Sequence, residues 1–144
     1  MTLPIDPSSY DYKFNKTLNE DVHLVSDEYG KYDLDMDNGD YINVTGVTSL
    51  RNACIIAILT RYNELKRIPH YNGFGCKVHD LIKGNKTKLQ LFKVETSINE
   101  TLSNMRRIKS VNDISVKEDS SESYVVEFDV TSINDTTIRG RLIL

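Results

Sequence analysis

The chain has 144 residues, of which 39% are hydrophobic and 27% charged, and its net charge is −3. This length predicts one domain with a substantial core, and the nearly balanced charge gives the chain as a whole no attraction to nucleic acid. The sequence has neither a run of about 18 apolar residues nor a signal-peptide pattern at its start, so we expect a soluble protein made in the cytoplasm.

The start of the chain, residues 1–32, is polar and only weakly periodic, with prolines at positions 4 and 7. We interpret it as an N-terminal arm that packs on a neighbouring chain or on its own domain. A partly disordered terminus fits the composition nearly as well. The remainder, residues 33–144, is predicted to form the folded domain.

An alternating pattern follows the arm. Apolar side chains alternate from Tyr32 to Met36, and the run Tyr41-Ile42-Asn43-Val44 follows after Asn38-Gly39. Because Asn-Gly favours the tight turn of a two-residue connection, the sequence predicts a β-hairpin here.

The apolar period then changes to three and four residues, which is typical of a helix. The stripe is formed by Val47, Leu50, Cys54, Ala57 and Ile58. A helix this apolar must be buried on more than one face. We expect it to be capped by Thr45 or Thr48 and to end near Tyr62. Cys54 and the later Cys76 are expected to be free, buried thiols.

The helical character continues through the middle of the chain. Residues 78–82 predict one further turn, and a longer pattern runs from Leu89 to Met105. Ser97 and Glu100 have the spacing of a capping box. The long pattern therefore fits either one helix or two helices with a break near Ser97.

The last third of the chain has the pattern of strands. Residues 114–116 alternate, residues 124–130 alternate more strongly, and residues 138–144 return after an Asn134-Asp135 turn. The sequence as a whole predicts a small α+β domain: an N-terminal hairpin or arm, a helical middle and a C-terminal antiparallel β region.

Two clusters superficially resemble metal sites. In the first, a calcium-binding loop that begins at Asp33 requires glycine at its sixth position and glutamate at its twelfth. These positions hold Asn38 and Val44, so the pattern does not match. The second contains His70, Cys76 and His79, but no second Cys/His pair follows to complete four zinc ligands. Nucleophile-elbow, phosphate-loop and dinucleotide-binding patterns are also missing. We therefore predict no metal, no cofactor and no catalytic residue.

The charged motifs indicate ion pairs or partner binding and not catalysis. Arg61 and Glu64 have the spacing of an ion pair at a helix end. A basic loop at residues 83–88 lacks the interleaved aromatic side chains of a nucleic-acid platform. Arg106 and Arg107 lie where a helix gives way to a strand. There an arginine can fork to a carboxylate or to helix-end carbonyls, inside the domain or on a partner.

Four motifs, taken in order, resemble the baseplate wedge protein and sheath initiator family of contractile-tail phages and related injection machines. The similarity is closest to the subgroup found in Bacillus-type phages and defective prophages. The motifs are Asn38-Gly39-Asp40 leading to Gly46, Leu59-Thr60-Arg61 with Glu64, the aromatic-glycine segment Tyr71 to Cys76, and Arg107-Ile108 followed by the β region. The family's Glu-Pro-Arg triplet corresponds to Met105-Arg106-Arg107, so only its arginine is retained. The resemblance covers about residues 35–144.

The resemblance implies a virion protein of the tail baseplate, assembled in the host cytoplasm, with a domain like the conserved domain of the tail sheath protein. Its implied partners are the sheath protein, wedge proteins and the tail tube, in six copies, with no nucleic acid and no membrane. Strands from neighbouring chains would complete its sheet, since an exposed sheet edge can template an incoming strand.

We accordingly predict partner-binding positions, each of which could equally have a role inside the domain. They are Arg61, Glu64, Arg106, Arg107, Tyr124, Val126, Phe128, Ile138 and Leu142. The main alternative is a small regulatory module that recognises a peptide along its sheet edge, and an enzyme is a distant third.

Overall fold

The computed structural model describes residues 20–26, 31–69, 71–83, 87–118 and 123–144. The chain divides into two compact units, Met1–Ala53 and Cys54–Leu144. Helices and antiparallel strands together make a mixed α+β fold, as the sequence predicts. Within the described ranges, no helix combines the length and the apolar character needed to cross a bilayer.

The first unit is built from short antiparallel strand pairs. Strand β1 (Glu20–Val22) pairs with β6 (Asn43–Thr45), β2 (Leu24–Ser26) pairs with β3 (Tyr32–Leu34), and β4 (Met36–Asp37) pairs with β5 (Asp40–Tyr41). Strands β1 and β2 belong to the segment interpreted as an arm, and the sequence pattern did not predict them. The rest of that arm, residues 1–19 and 27–30, lies outside the described residues.

The three strand pairs meet at a closed ring of backbone hydrogen bonds. The N–H of His23 donates to the carbonyl of Ile42 (2.7 Å), Ile42 donates to Asp35 (3.2 Å), and Asp35 donates back to His23 (2.8 Å). The side chains reinforce the ring, since His23 Nδ1 lies 2.8 Å from Asp35 Oδ2. Backbone groups that would otherwise lack partners at the branch point are therefore satisfied.

The predicted Asn-Gly turn is present, but the hairpin around it is shorter than predicted. Asn38 and Gly39 have φ of 51° and 80°, the two positive values that a type I′ turn requires. They join only β4 and β5. The prediction that residues 32–36 and 41–44 form one hairpin holds only for β4 and β5, because β3 pairs with β2 and β6 pairs with β1.

The predicted helices are confirmed. Helix α1 (Gly46–Leu59) runs from the first unit into the second, α2 comprises Val78–Leu81, and α3 comprises Lys88–Ser103. Helix α1 ends three residues before the predicted Tyr62, because Thr60 and Arg61 turn to pair with the segment around Cys76.

The longer helical pattern forms one helix, α3. Its N-cap is Thr87, whose hydroxyl accepts a hydrogen bond from the Gln90 N–H (3.2 Å). Ser97 lies in mid-helix and is buried, with its Oγ 3.5 Å from Cys76 Sγ. The interpretation with a break at Ser97 is therefore wrong.

The C-terminal region forms an antiparallel three-stranded sheet. Its strands are β7 (Ile108–Glu118), β8 (Tyr124–Ser132) and β9 (Thr137–Ile143), in the order β7-β8-β9. Every second residue of β8 is buried, while Glu127 is exposed on the other face. Helix α3 packs against β7 and contributes Val94, Ile98 and Leu102 to the core of this unit.

Candidate docking surfaces

Strand β9 forms a regular outer edge of the sheet. It pairs with β8 from Thr137 to Ile143 without a register shift, and Leu144 extends the ladder by exchanging backbone hydrogen bonds with Tyr124 (2.9 and 3.1 Å). Within the described residues, no further strand lies beyond β9. It contains neither a proline nor a bulge, two common devices for protecting an edge.

The register of β9 determines which backbone groups point away from the sheet. Directly opposite residues of an antiparallel pair alternate between exchanging hydrogen bonds and exchanging none. Tyr124 and Leu144 exchange them, as above, so the even-numbered residues of β9 bond inward to β8. The N–H and C=O groups of Thr137, Arg139, Arg141 and Ile143 therefore point outward, and they provide four consecutive sites for an incoming strand.

The opposite edge, β7, is irregular. Its pairing with β8 shifts between Ile108 and Ser110 and again between Val111 and Asp113. The second shift leaves Asn112 as the extra residue, and its Nδ2 donates to Asp129 Oδ1 (3.0 Å) and to Thr131 Oγ1 (2.9 Å). Because bulges interrupt the row of outward backbone groups, β7 is a poorer template than β9.

The apolar residues predicted as partner-binding lie in the core of the second unit. Tyr124, Val126 and Phe128 belong to β8, whose two edges are both occupied by neighbouring strands. Ile138 and Leu142 are on β9, but their side chains are 0% and 1% exposed. These side chains pack in the core. A partner can therefore reach only the backbone of the β9 edge and the side chains on the solvent-facing side of that strand.

Two of the side chains on the solvent-facing side of β9, Arg139 and Arg141, are basic. Arg139 Nε lies 3.2 Å from Asp129 Oδ2, and Arg141 Nε lies 3.8 Å from Glu127 Oε1. Both arginine side chains are largely exposed, at 82% and 65%, so these pairs add little stability. The alternation of arginines around Gly140 was visible in the sequence and could have indicated this basic edge.

A second candidate surface is built by the loop after α1. The Cys76 N–H donates to the Thr60 carbonyl (2.8 Å), and the Asn63 N–H donates to the Phe74 carbonyl (2.9 Å), which closes the loop at its base. Gly75 has φ of 110°, and a Cβ there would overlap the Arg61 carbonyl. Only glycine permits this close approach of two backbone segments.

The predicted pair Arg61 and Glu64 lies at the start of this loop. The Glu64 carboxylate accepts a hydrogen bond from the Arg61 backbone N–H (3.2 Å), and the Glu64 N–H donates to the Arg61 carbonyl (3.1 Å). The contact between the two residues thus fixes a turn through the backbone, and both side chains are exposed.

A cavity of about 530 Å³ lies between this loop, α3 and the turn before β7. Its cationic lining side chains are Lys77, Arg106 and Arg107, while Glu100 is the acidic residue of the lining. Lys77 Nζ also lies 4.8 Å from the centroid of the Tyr62 ring. The structure therefore brings the two predicted arginines together with a lysine that the sequence pattern did not indicate.

Both cysteines are free and buried, as predicted. Burial raises the pKa of the Cys54 thiol from 9.0 to about 12, and the nearby charge of Arg107 opposes this rise. Nothing in the part of the chain that the structure describes gathers three His, Cys, Asp or Glu side chains into a group that could hold a metal ion. His70, one of the zinc candidates, lies outside that part.

Comparison with known proteins gives a family match and a fold match. The model of a family described as contractile injection system sheath initiator matches residues 1–135. Among solved structures, a candidate tail lysozyme from Geobacter sulfurreducens is similar at 16% identity with a TM-score of 0.55, over 65% of this chain and 85% of that one. At that identity the similarity concerns the fold alone. No curated protein matches the sequence.

Proposed function

Since the match covers residues 1–135, the chain belongs to the contractile injection system sheath initiator family, and from this premise we propose that it docks on the baseplate wedge and starts sheath polymerisation. In this proposal it acts as a structural part of the tail, not as an enzyme. It assembles in the host cytoplasm and is present in six copies around the tail tube.

Strand addition at β9 is the step that starts the sheath in this proposal. One observation carries it: β9 is an outer strand in continuous register, with outward backbone groups at Thr137, Arg139, Arg141 and Ile143. A strand from a sheath subunit can form backbone hydrogen bonds with these groups. It also extends the sheet by backbone hydrogen bonds of the kind that hold β8 and β9 together.

A matched pair of variants at one position tests strand addition. Arg141→Pro removes an outward N–H without removing a hydrogen bond of the β8–β9 ladder, whereas Arg141→Ala removes the same side chain and keeps the N–H. We expect purified sheath protein to polymerise on the alanine variant and not on the proline variant, as followed by light scattering and electron microscopy. Circular dichroism establishes that both variants are folded.

Polymerisation that proceeds equally on both variants would contradict strand addition at β9. Binding of a free extended peptide by the isolated alanine variant but not by the proline variant, with sheath assembly unaffected by either, would instead favour a peptide-binding regulatory module on the same edge.

Docking on the wedge uses the basic cavity in this proposal. Arg106 is exposed, Arg107 is half-buried beside it, and Lys77 lies in the same lining. Three cations around a cavity suit carboxylates on a wedge protein, with arginine able to form two parallel hydrogen bonds to one carboxylate. Arg107, the arginine retained from the family triplet, is the most buried of these three cations.

Charge reversal tests this docking site. Arg106→Glu should reduce co-purification with the assembled wedge strongly, because it places a carboxylate where the partner's carboxylates are expected. Lys117→Glu makes the same charge change on the exposed face of β7 and serves as the control. Equal co-purification of the two variants would rule out the cavity as the docking site.

A further inference from the structure

Helix α3 exposes two large apolar side chains. Phe92 is 64% exposed and Leu89, one turn earlier, is 62% exposed. An aromatic side chain gains much of its stabilising effect from burial, so neighbouring exposed residues of this size indicate a surface that a partner covers. Neither proposed docking surface includes these two residues.

Phe92 borders a groove between α3 and the bulged part of β7. Glu95, Thr96, Asn99 and Glu100 follow Phe92 along the same stripe of the helix, and residues 111–114 form the opposite wall. The groove has a volume of about 340 Å³, which falls at the lower end of the range of about 300–1,000 Å³ for ligand pockets.

The wall formed by β7 is held by side-chain hydrogen bonds. The bulge residue Asn112 donates to Asp129 and Thr131 on β8, at 3.0 and 2.9 Å. Val111 and Ile114 on either side are half-buried and add apolar side chains to a wall that Asn112 and Asp113 make partly polar. The hydrogen bonds of Asn112 give this wall a fixed shape. A preformed groove of this kind needs less ordering when a partner binds.

The charged side chains that line the groove itself are all acidic. Glu95, Glu100 and Asp113 line it, and none of the described residues in its lining is a lysine or an arginine. Such a rim repels phosphates and acidic segments and attracts basic ones. A groove that combines apolar side chains with acidic ones therefore selects for a segment with an apolar anchor between cations.

We propose that this groove, with Phe92 as its anchor, binds a basic segment of a partner chain through one large apolar side chain flanked by lysines or arginines. The groove shares Glu100 with the lining of the basic cavity, but its anchor Phe92 belongs to neither proposed docking surface. The proposal concerns the isolated protein, so its test does not depend on the proposed role in sheath assembly.

The test uses a defined probe, a fluorescent nine-residue peptide with a central phenylalanine between lysines, and the same peptide with glutamates in place of the lysines. We expect the full chain to bind the basic peptide at low salt, more weakly as salt rises, and to bind the acidic peptide at least about tenfold more weakly. Phe92→Ser and the double variant Glu95→Gln/Asp113→Asn should each weaken binding of the basic peptide about tenfold.

Matched controls separate the groove from general charge and apolar effects. Ile133→Ser removes another exposed apolar side chain, and Glu127→Gln/Asp135→Asn removes the same number of carboxylates elsewhere in the second unit. Both should bind like the unsubstituted protein. Loss of binding that is equal in the control and groove variants, or no binding of the basic peptide at all, would overturn the proposal.

Sedimentation of the protein alone tests the other possible occupant of the groove, a second copy of this chain. Self-association that Phe92→Ser abolishes would mean that a second copy of this chain fills the groove and would overturn the assignment to another chain. A monomer at all concentrations, together with peptide binding, supports it.

Discussion

Gly140 lies opposite Phe128 in the β8–β9 pair, and the phenylalanine ring occupies the space that a side chain at position 140 would need. Replacing the glycine by alanine forces the ring or the strand to move. Overpacking of a tight core site typically costs about 1–3 kcal/mol, so Gly140→Ala should lower the free energy of unfolding by about that amount in urea denaturation.

Two further variants test whether the lower free energy of unfolding comes from overlap with the Phe128 ring. Thr137→Ala changes an exposed residue of the same strand and should have little effect. Phe128→Leu combined with Gly140→Ala should be less destabilised than the sum of the two single variants, because the smaller side chain relieves the overlap. Strictly additive effects would contradict this explanation.

The buried Cys54 thiol predicts a pH dependence of stability. Its folded-state pKa of about 12 lies above the ordinary value of 9.0, so the unfolded chain releases this proton at lower pH than the folded protein does. The stability contributed by the neutral thiol is therefore complete below pH 9.0 and is lost as the pH rises towards about 12.

Cys54→Ala removes this dependence. The free energy of unfolding of the natural chain should fall more steeply above pH 9.0 than that of the variant, by at most about 1.4 kcal/mol per pH unit. Only the slopes are compared, because the variant also leaves a cavity. Parallel slopes in urea titrations between neutral and alkaline pH would show that the thiol does not titrate as expected.

The N-cap of α3 gives a prediction for a whole element. Thr87 is the residue whose hydroxyl accepts from the Gln90 N–H, and loss of an N-cap typically costs about 1 kcal/mol. Thr87→Ala should therefore destabilise the protein by about that amount, while Thr87→Ser should retain most of the stability. Thr96→Ala, on an exposed turn of the same helix, is the control, and an equal loss in both alanine variants would argue against capping.

The same helix shows where sequence patterns suffice and where they fail. The period of α3 and the alternation of β8 are repeated over several turns or residue pairs, so local sequence predicted both. The capping pattern at Ser97 misled because Ser97 is drawn into the core beside Cys76, a residue 21 positions away. A local motif cannot report such a tertiary contact.

The strand junction in the first unit marks a second limit. Asn38-Gly39 specifies its own turn because both residues accept positive φ. The partners of β3 and β6 come instead from residues 20–26, a short segment that lies in a mostly polar part of the chain. Likewise, Arg106 and Arg107 stood out in the sequence, whereas Lys77 joins them only through the folding of the loop that ends at Cys76.

At the scale of the molecule, the proposed docking and strand-adding surfaces are made by different parts of the second unit, the turn before β7 and the outer edge of β9. A variant that loses one should keep the other. Arg141→Pro should therefore still enter the baseplate through the Arg106–Arg107 cavity, and it should occupy a position there that cannot accept a sheath strand.

Mixing experiments then report whether the copies act together. If sheath growth needs a complete ring of strand acceptors, particles assembled from mixtures of natural chain and Arg141→Pro should lose sheath much more steeply than the fraction of natural chain falls, since one defective copy disables its ring. Mixtures with Arg141→Ala control for the side chain and should keep full activity, as counted by electron microscopy. A loss merely proportional to the mixing ratio would mean that each copy adds its sheath strand independently, and no loss at all would mean that β9 is not the accepting edge.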